Sequence, residues 1–533
     1  MTAKVRIDVR QTAGEVSPMI FGQFLEHIGR AIYGGVYEPG NPLSDKDGFR
    51  LDVIEKIQEL ATPILRWPGG NFSSAYHWMD GVGEKSKRPR RMELAWETVE
   101  SNQFGTNEFI ELCRRLKTEP YFGLNLGWGG PEESVNWLEY CNAETDSVYA
   151  NLRRANGAKE PFGVKYWGLG NEIYGTWQHG HCEPEEYAHK AAETAKMMRK
   201  MDGNTKFVFC GANHSEWDYK VLDYLFRKGY NSLVDYLSLH RYEAGVDYYG
   251  VLALAMDFDR DIHGLEGLLA MLEKQYRPEK KTMISVDEWN VWYRKTADRT
   301  TATKYFRKGE DLNEEFYNLR DALYFGSALN LFIRHADRVK MANVAQTVNV
   351  IAPIIATPKG SYYQPTFFPL KYYRKMHQAM ALDIHVECEG LPLTKELEQT
   401  ELKRYADEKP AHWGGVGSWQ NHWFGKSLPL VDGAATRSED GRTVTMSLVN
   451  RHREASQAVE IDLFDFKPRS GKMVTITGPD PMGYMLKASG KDVSDVDYNP
   501  EACTAREISI EPKGSKWTID IPAHSIVIIT VVS

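Results

Sequence analysis

Eight times in its first two-thirds the chain runs through a short apolar stretch and stops on Gly or on a polar or charged residue. The runs are "PMIFGQFLEH" (18–27), "PILRWPGGN" (63–71), "PYFGLNLG" (120–127), "VKYWGLGNE" (164–172), "KFVFCGAN" (206–213), "VDYLSLHRY" (234–242), "TMISVDEWN" (282–290) and "VKMANVAQ" (339–346). Their hydrophobicity is continuous rather than alternating, which suits strands buried on both faces, as in a parallel sheet. Between them lie helical patterns, among them "DVIEKIQEL" (52–60), "TNEFIELCRRL" (106–116) and "PEEYAHKAAETAKMMRKM" (184–201), then "LEGLLAMLEKQY" (265–276) and "EEFYNLRDALYFGSALNLFIRHA" (314–336). Eight strands alternating with helices predict an α/β fold, a (β/α)8 TIM barrel.

After about residue 383 the pattern changes. "TVTMSLVNRH" (443–452), "AVEIDLF" (458–464), "KMVTITG" (472–478) and "SIVIITVVS" (525–533) read as antiparallel strands joined by turns, a β-sandwich module. The opening "KVRIDVR" (4–10) alternates like a strand and precedes the barrel, so it is expected to pair with that module. The expected division is a barrel over 15–383 and a C-terminal antiparallel β-sandwich over 384–533, joined by the strand within 1–14. The 533 residues are ample for both.

A net charge of −8 argues against nucleic acid as the main partner. The basic run "KSKRPRR" (85–91) has no interleaved aromatics and reads as a solvated loop. No apolar stretch reaches the roughly 18 residues of a membrane helix, and the N-terminus lacks a signal-peptide core, so no membrane partner and a cytoplasmic location are expected. The six cysteines are scattered, with no CxxC pair, which argues against a disulfide framework. "HGHCEPEEYAH" (179–189) gathers His179, His181, Cys182 and His189, but at a spacing that fits no common zinc module. "GLGNEIYG" lacks the third glycine of a dinucleotide fingerprint and the Lys of a P-loop. No metal and no cofactor are expected.

In a barrel, every run ends at the same C-terminal rim, where barrel enzymes keep their chemistry. The runs would deliver Glu26 and His27, Arg66 and Asn71, Asn171 and Glu172, His240 and Tyr242, Asp287 and Glu288, and Asn343 and Gln346. Clustered polar groups cost stability when water is excluded, so chemistry is the better reason for gathering them. Two carboxyls across a barrel suit glycoside hydrolysis, one protonating the leaving oxygen and the other attacking the anomeric carbon. Glu172 and Glu288, on strands four and seven, are the candidate pair. A single Glu at a strand end equally fits a helix cap; the company of Asn171, Arg66 and Tyr242 favours function.

The segments "FGQFLEHIGRAIYGGVYEPG", "LRWPGGNFSSAYHWMDGVG", "RPRRMELAWETVESNQFGTNEF", "VKYWGLGNEIYG", "DEWNVWYR" and "VKMANVAQTVNVIAPI" resemble the α-L-arabinofuranosidases of glycoside hydrolase family 51 over nearly the whole barrel. The C-terminal module resembles the family more weakly, through "SLVNRH" and "IPAHSIVII". The resemblance implies a retaining double displacement that releases terminal arabinofuranose from arabinan or arabinoxylan oligosaccharides. Glu172 takes the acid/base position and Glu288 the nucleophile. Arg66 would keep Glu288 ionised, while Glu172, beside a negative neighbour, should hold its proton.

The resemblance also places Glu26 and Asn71 on the sugar hydroxyls and Asn171 on the 2-hydroxyl. It sets Tyr242 beside the nucleophile, Gln346 on the eighth strand, and Trp96 and Trp292 in the pocket wall, with His240 in support. Tyr242, Trp96 and Trp292 equally fit plain core positions, and Gln346 the satisfaction of backbone groups. A homo-oligomer, a hexamer in the family, is expected.

Three features depart from the pattern. Trp128 in "LNLGWGG" stands where a small residue is usual, Gln23 where His is common, and "HWGGVGSWQNHWF" (412–424) is an extra Trp-rich loop. If Trp128 or that loop reaches the site, leaving-group preference changes; otherwise they pack the two modules together. The rivals are the same machinery acting as a β-xylosidase or endo-β-1,4-glucanase, and a non-catalytic sugar-binding barrel.

Overall fold

The computed structural model describes residues 2–213, 215–244, 247–293, 314–408, 427–488 and 496–533. The Trp-rich loop 412–424 lies outside them. The eight apolar runs form the strands Gly22–Phe24, Ile64–Trp67, Glu119–Gly123, Tyr166–Leu169, Lys206–Phe209, Tyr236–Glu243, Met283–Val291 and Val339–Ala345. They pair in parallel with their sequence neighbours and close into a barrel, the eighth strand against the first. Ile64, Leu65, Arg66 and Trp67 are all buried, the signature of a strand covered by helices outside and by side chains within.

The helices follow their amphipathic patterns, with two differences of extent. The run 265–276 is the second half of a longer helix, Tyr248–Tyr276, because "VLALAM" extends its buried face. Asp247 caps it by accepting from the Gly250 amide at 2.7 Å. The helix expected from 314 begins at Leu319, where Asn318 and Asp321 form a reciprocal capping box.

The basic run is not simply solvated. The guanidinium of Arg88 is buried and donates to Gly83 O, Asn102 O and both oxygens of Glu108. It fastens the loop that follows the second barrel strand.

Beyond the barrel lies one nine-stranded sheet. The opening strand Ala3–Glu15 sits inside it, antiparallel to Met380–Glu387 and parallel to Gln457–Phe464. That parallel pair departs from the purely antiparallel expectation, since the strand arrives from the far end of the chain rather than through a hairpin. Val5, Ile7, Leu382, Val444, Met446, Ile461 and Ile529 share one buried cluster, so the sheet folds over its own apolar face. The other side packs on the helix Leu319–Arg334: a Cβ on Gly326 would come within 2.8 Å of Ile526. His377 is tied to both Thr436 Oγ1 and Ser447 Oγ across this junction, and burial pushes its pKa down to about 3, so it stays neutral. Among the described residues no helix is long and apolar enough to cross a membrane.

Candidate active site

The fourth strand ends at Leu169, and Gly170, Asn171 and Glu172 follow at the rim. Glu172 has a φ of 44°, the left-handed region, a conformation costing roughly 1–2 kcal/mol for a residue with a Cβ. The local turn is closed by Gly175 N donating to Glu172 O at 2.7 Å. Strain of this kind gathers where a side chain must be aimed.

The seventh strand aims Glu288 by another device. Ser285 pairs with Ser238 and Glu288 with His240, three steps on one strand against two on its neighbour. On the other side, Val286 pairs with Ala342 and Trp289 with Val344, the same mismatch. The strand therefore carries a bulge against both partners, which breaks the in-out alternation and re-aims its side chains. Adjacent residues Asp287 and Glu288 are both buried, like the rest of the strand from Ile284, yet they turn to different partners. Asp287 accepts from the Tyr121 hydroxyl at 2.8 Å and from Ser285; it braces the barrel interior rather than joining the rim. Asn343, also expected at the rim, is fully buried against Gly22 in the strand body.

Glu172 and Glu288 meet at His240. Its Nδ1 lies 3.0 Å from Glu172 Oε1 and 3.7 Å from Glu288 Oε2, and ligand-type atoms of all three lie within 4.8 Å of one another. Paired carboxyls of retaining glycosidases stand about 5–5.5 Å apart and those of inverting ones about 6.5–9.5 Å. The approach of Glu172 and Glu288 through their nearest oxygens is closer than the wide spacing.

Glu288 is held on both oxygens. Arg66 Nη1 donates to Oε1 at 2.6 Å and the Tyr242 hydroxyl to Oε2 at 2.6 Å. Burial alone would raise its pKa, but His240, Arg66 and the Tyr242 bond outweigh burial and hold it below the ordinary glutamate value. Arg66 lies over the Phe24 ring at 4.5 Å and also donates to Asn171 Oδ1 at 2.7 Å. This leaves the Asn171 amide nitrogen turned toward Asn71, 3.4 Å away. Gly70 passes so close that a Cβ there would stand 2.9 Å from Glu288 Oε1; a side chain would fill the space between the carboxyls and the loop.

Glu26 forms the opposite wall. Its Oε1 accepts from Phe72 N and Trp96 Nε1, both at 3.0 Å, and its Oε2 from Gln346 Nε2 at 3.1 Å. Despite these donors, burial and the charge of Glu288 push Glu26 up to about 8. Gln346 also accepts from the Glu26 amide at 2.7 Å, so it fixes that residue from both ends. Trp292 stands edge-on to Tyr242, ring centroids 5.4 Å apart. Behind Trp96, Glu93 accepts from the amides of Ala95 and Trp96, and burial pushes it up to about 7. His27 is one layer back, stacked on Phe72 at 4.6 Å and bound to Glu100 at 2.9 Å.

Thus Glu26, Arg66, Asn71, Trp96, Asn171, Glu172, His240, Tyr242, Glu288, Trp292 and Gln346 belong to one connected constellation. The sequence reading missed Trp177, whose Nε1 donates to Glu172 Oε2 at 2.8 Å, and Tyr174, whose hydroxyl lies 3.4 Å from Oε1. Their signal was position: both follow Glu172 within five residues, in two successive tight turns. Glu172, His240 and Glu288 also have metal-ligand chemistry, yet Arg66 already neutralises Glu288, which disfavours a cation. The cluster of "HGHCEPEEYAH" disperses: His181 Nδ1 meets Ile173 O, and His189 meets the Tyr224 hydroxyl.

Two family models match this chain, the α-L-arabinofuranosidase 1 domain over residues 56–254 and the α-L-arabinofuranosidase C-terminal domain over 287–525. A probable α-L-arabinofuranosidase C of Aspergillus fumigatus is 42% identical over 451 residues, 83% of either chain. An intracellular exo-α-(1→5)-L-arabinofuranosidase of Bacillus subtilis is 38% identical, covering 87% of this chain and 88% of its own. Among solved structures, the α-L-arabinofuranosidase of Thermotoga maritima in complex with arabinose matches with a TM-score of 0.81 at 32% identity over the full length of both. The family 51 enzyme of Bifidobacterium longum matches at 0.84 and 28% identity, covering 99% of each.

Proposed function

This chain belongs to glycoside hydrolase family 51, the α-L-arabinofuranosidases, and we propose that it releases terminal α-L-arabinofuranosyl residues from arabinan or arabinoxylan oligosaccharides with retention of configuration. The observation that carries the mechanism is the Glu172–Glu288 approach within 4.8 Å. That gap admits a furanose C1 in direct contact with one carboxyl but leaves no room for a water between sugar and base.

In the first step Glu288 attacks C1 as its carboxylate, and the C1–O bond to the leaving group breaks. The departing oxygen takes the proton carried by Glu172. Arg66 and Tyr242 hold Glu288 in the ionised, aimed form. Esterification then removes the charge of Glu288, and Glu172 keeps the electron pair left by its proton. In the second step Glu172 takes a proton from water as the water oxygen attacks C1, and Glu288 leaves as carboxylate. The Asn171 amide, Asn71 and a largely protonated Glu26 face the sugar hydroxyls; Trp96 and Trp292 close the wall.

The support for exo action is this enclosure by Trp96, Glu26 and Gln346 on the furanose side. A cytoplasmic location belongs to the same reading, supported by the name of the Bacillus relative, as does a homo-oligomer, which sedimentation velocity tests. For the activity itself, purified protein is incubated with an aryl α-L-arabinofuranoside, an aryl β-xyloside and soluble cellulose. Turnover of the first at least about tenfold faster than the others is expected; binding of arabino-oligosaccharide without turnover would support a non-catalytic barrel instead.

A further inference from the structure

Two indoles lie open to solvent on neighbouring loops, one of them bonded to the acid. Trp177 is 60% exposed while its N–H donates to Glu172, and Trp128 is 61% exposed. Both belong to barrel loops, after the fourth and third strands. Large apolar rings left in water at the edge of an otherwise enclosed site point to a ligand that covers them.

Trp128 is not a loose loop residue. Its amide donates to Ser74 O at 3.0 Å and to Asn125 Oδ1 at 3.1 Å, and the next amide, of Gly129, also donates to Asn125 at 2.9 Å. On the other flank the two loops touch backbone to backbone: a Cβ on Gly127 would strike Ser74 O at 2.4 Å and His179 O at 2.6 Å, and one on Gly180 would strike Gly127 Cα at 2.3 Å. The His179 ring then stands 5.8 Å from the Trp128 ring. A fixed backbone presenting an open indole is a preorganised contact surface, not a domain-packing residue.

Its side of the site decides what it contacts. Glu172 serves the leaving oxygen, so the leaving group departs past Trp177, two residues from His179, whose ring neighbours Trp128. We propose that Trp128, with His179, forms a leaving-group subsite for a β-1,4-linked pyranosyl backbone bearing arabinofuranosyl branches, as in arabinoxylan. A xylopyranosyl ring offers a flat face of axial C–H bonds that lies on an indole; a puckered furanosyl ring of α-1,5-arabinan offers no such face. This rests on the arabinofuranosidase reading above and adds the class of the leaving group.

The test compares wild type and Trp128→Ala on three substrates: an aryl α-L-arabinofuranoside, α-1,5-arabinotriose and an arabinosyl-xylotetraose. The aryl substrate sets the scale, because its leaving group has no second sugar. The ratio of kcat/KM for arabinosyl-xylotetraose to that for the aryl substrate is expected to fall about tenfold in the variant, mostly through KM, and to recover in Trp128→Phe. The same ratio for arabinotriose is expected to move less than about twofold. An unchanged xylotetraose ratio overturns the subsite. An equal fall for arabinotriose overturns its selectivity for pyranosyl chains. If wild type turns over none of the arabinofuranosides, the functional reading itself has failed, and the ratios are not its test.

Discussion

Among the described residues two histidines each face two carboxylates, and they are built differently. His335, at the end of the helix Leu319–Arg334, gives one nitrogen to each neighbour: Nδ1 to Glu266 at 2.9 Å and Nε2 to Asp259 at 3.0 Å. Every strong contact is spent, and the result is a clamp between two outer helices. His240 at the barrel mouth offers the same nitrogen to both of its glutamates, at 3.0 and 3.7 Å. Glu288 has Arg66 and Tyr242 besides, and Glu172 has Trp177. Residue types alone would rank the clusters equal, a histidine between two carboxylates in each. What separates them is that one holds carboxylates to satisfy a histidine, while the other uses a histidine, an arginine and a strained backbone to hold two carboxylates apart and aimed.

The largest effect should come from Glu288→Ala. Without a nucleophile no glycosyl-enzyme forms, and kcat should drop by roughly 10⁴-fold or more on every substrate, read by release of arabinose. Glu172→Ala should cost about 10²–10⁴-fold on oligosaccharides and far less on an aryl arabinofuranoside with a good leaving group. Equal losses on both would break the division of roles.

Tyr242→Phe tests the support of Glu288. It removes one donor from a charged oxygen, so kcat/KM should fall about 10- to 100-fold. The pKa of Glu288 is depressed partly by that bond; without it the pKa rises, and the acid limb of the kcat/KM profile should move to higher pH. A limb that stays in place or moves down would mean that Tyr242 does not bear on the ionisation.

The smallest effect sharpens the contrast from the other side. His335→Ala should leave turnover within about twofold and cost roughly 1–3 kcal/mol of stability. Burial works against the charged forms there, yet the bonds to Asp259 and Glu266 raise the pKa of His335 above 6.5, and the bond from His335 lowers Asp259 below 3.8. The contribution is therefore full between about pH 4 and 6.5, and fades as pH rises through the raised histidine value. It also fades as pH falls through the depressed aspartate value. Denaturant unfolding of both proteins across pH 4–9 measures the gap, which should narrow toward alkaline pH.

Much of this was legible in the sequence. Eight continuous apolar runs gave the barrel, because burial on both faces leaves no other pattern, and the residues closing each run gave the rim. Strand periodicity could not reveal the bulge at Ser285–Glu288. Glu288 was legible as the catalytic partner, but that its neighbour Asp287 turns to Tyr121 and Ser285 instead of the rim was not. Asn343 was misplaced for a related reason, since a run's last polar residue need not lie beyond the strand. Trp177 and Tyr174 were overlooked because their role comes from tight turns that fold them back on Glu172, not from a strand end. The parallel pairing of the opening strand depends on a partner more than 440 residues away, beyond any local signal.

The central claim is that Glu172 and Glu288 act in two displacements on one face-to-face site. Proton NMR of the first product, followed from the start of hydrolysis of an α-L-arabinofuranoside before mutarotation, tests it most directly. The account predicts that α-L-arabinofuranose appears first and the β anomer only later. If the β anomer appears first, the reaction inverts in a single displacement, and Glu288 is not the nucleophile.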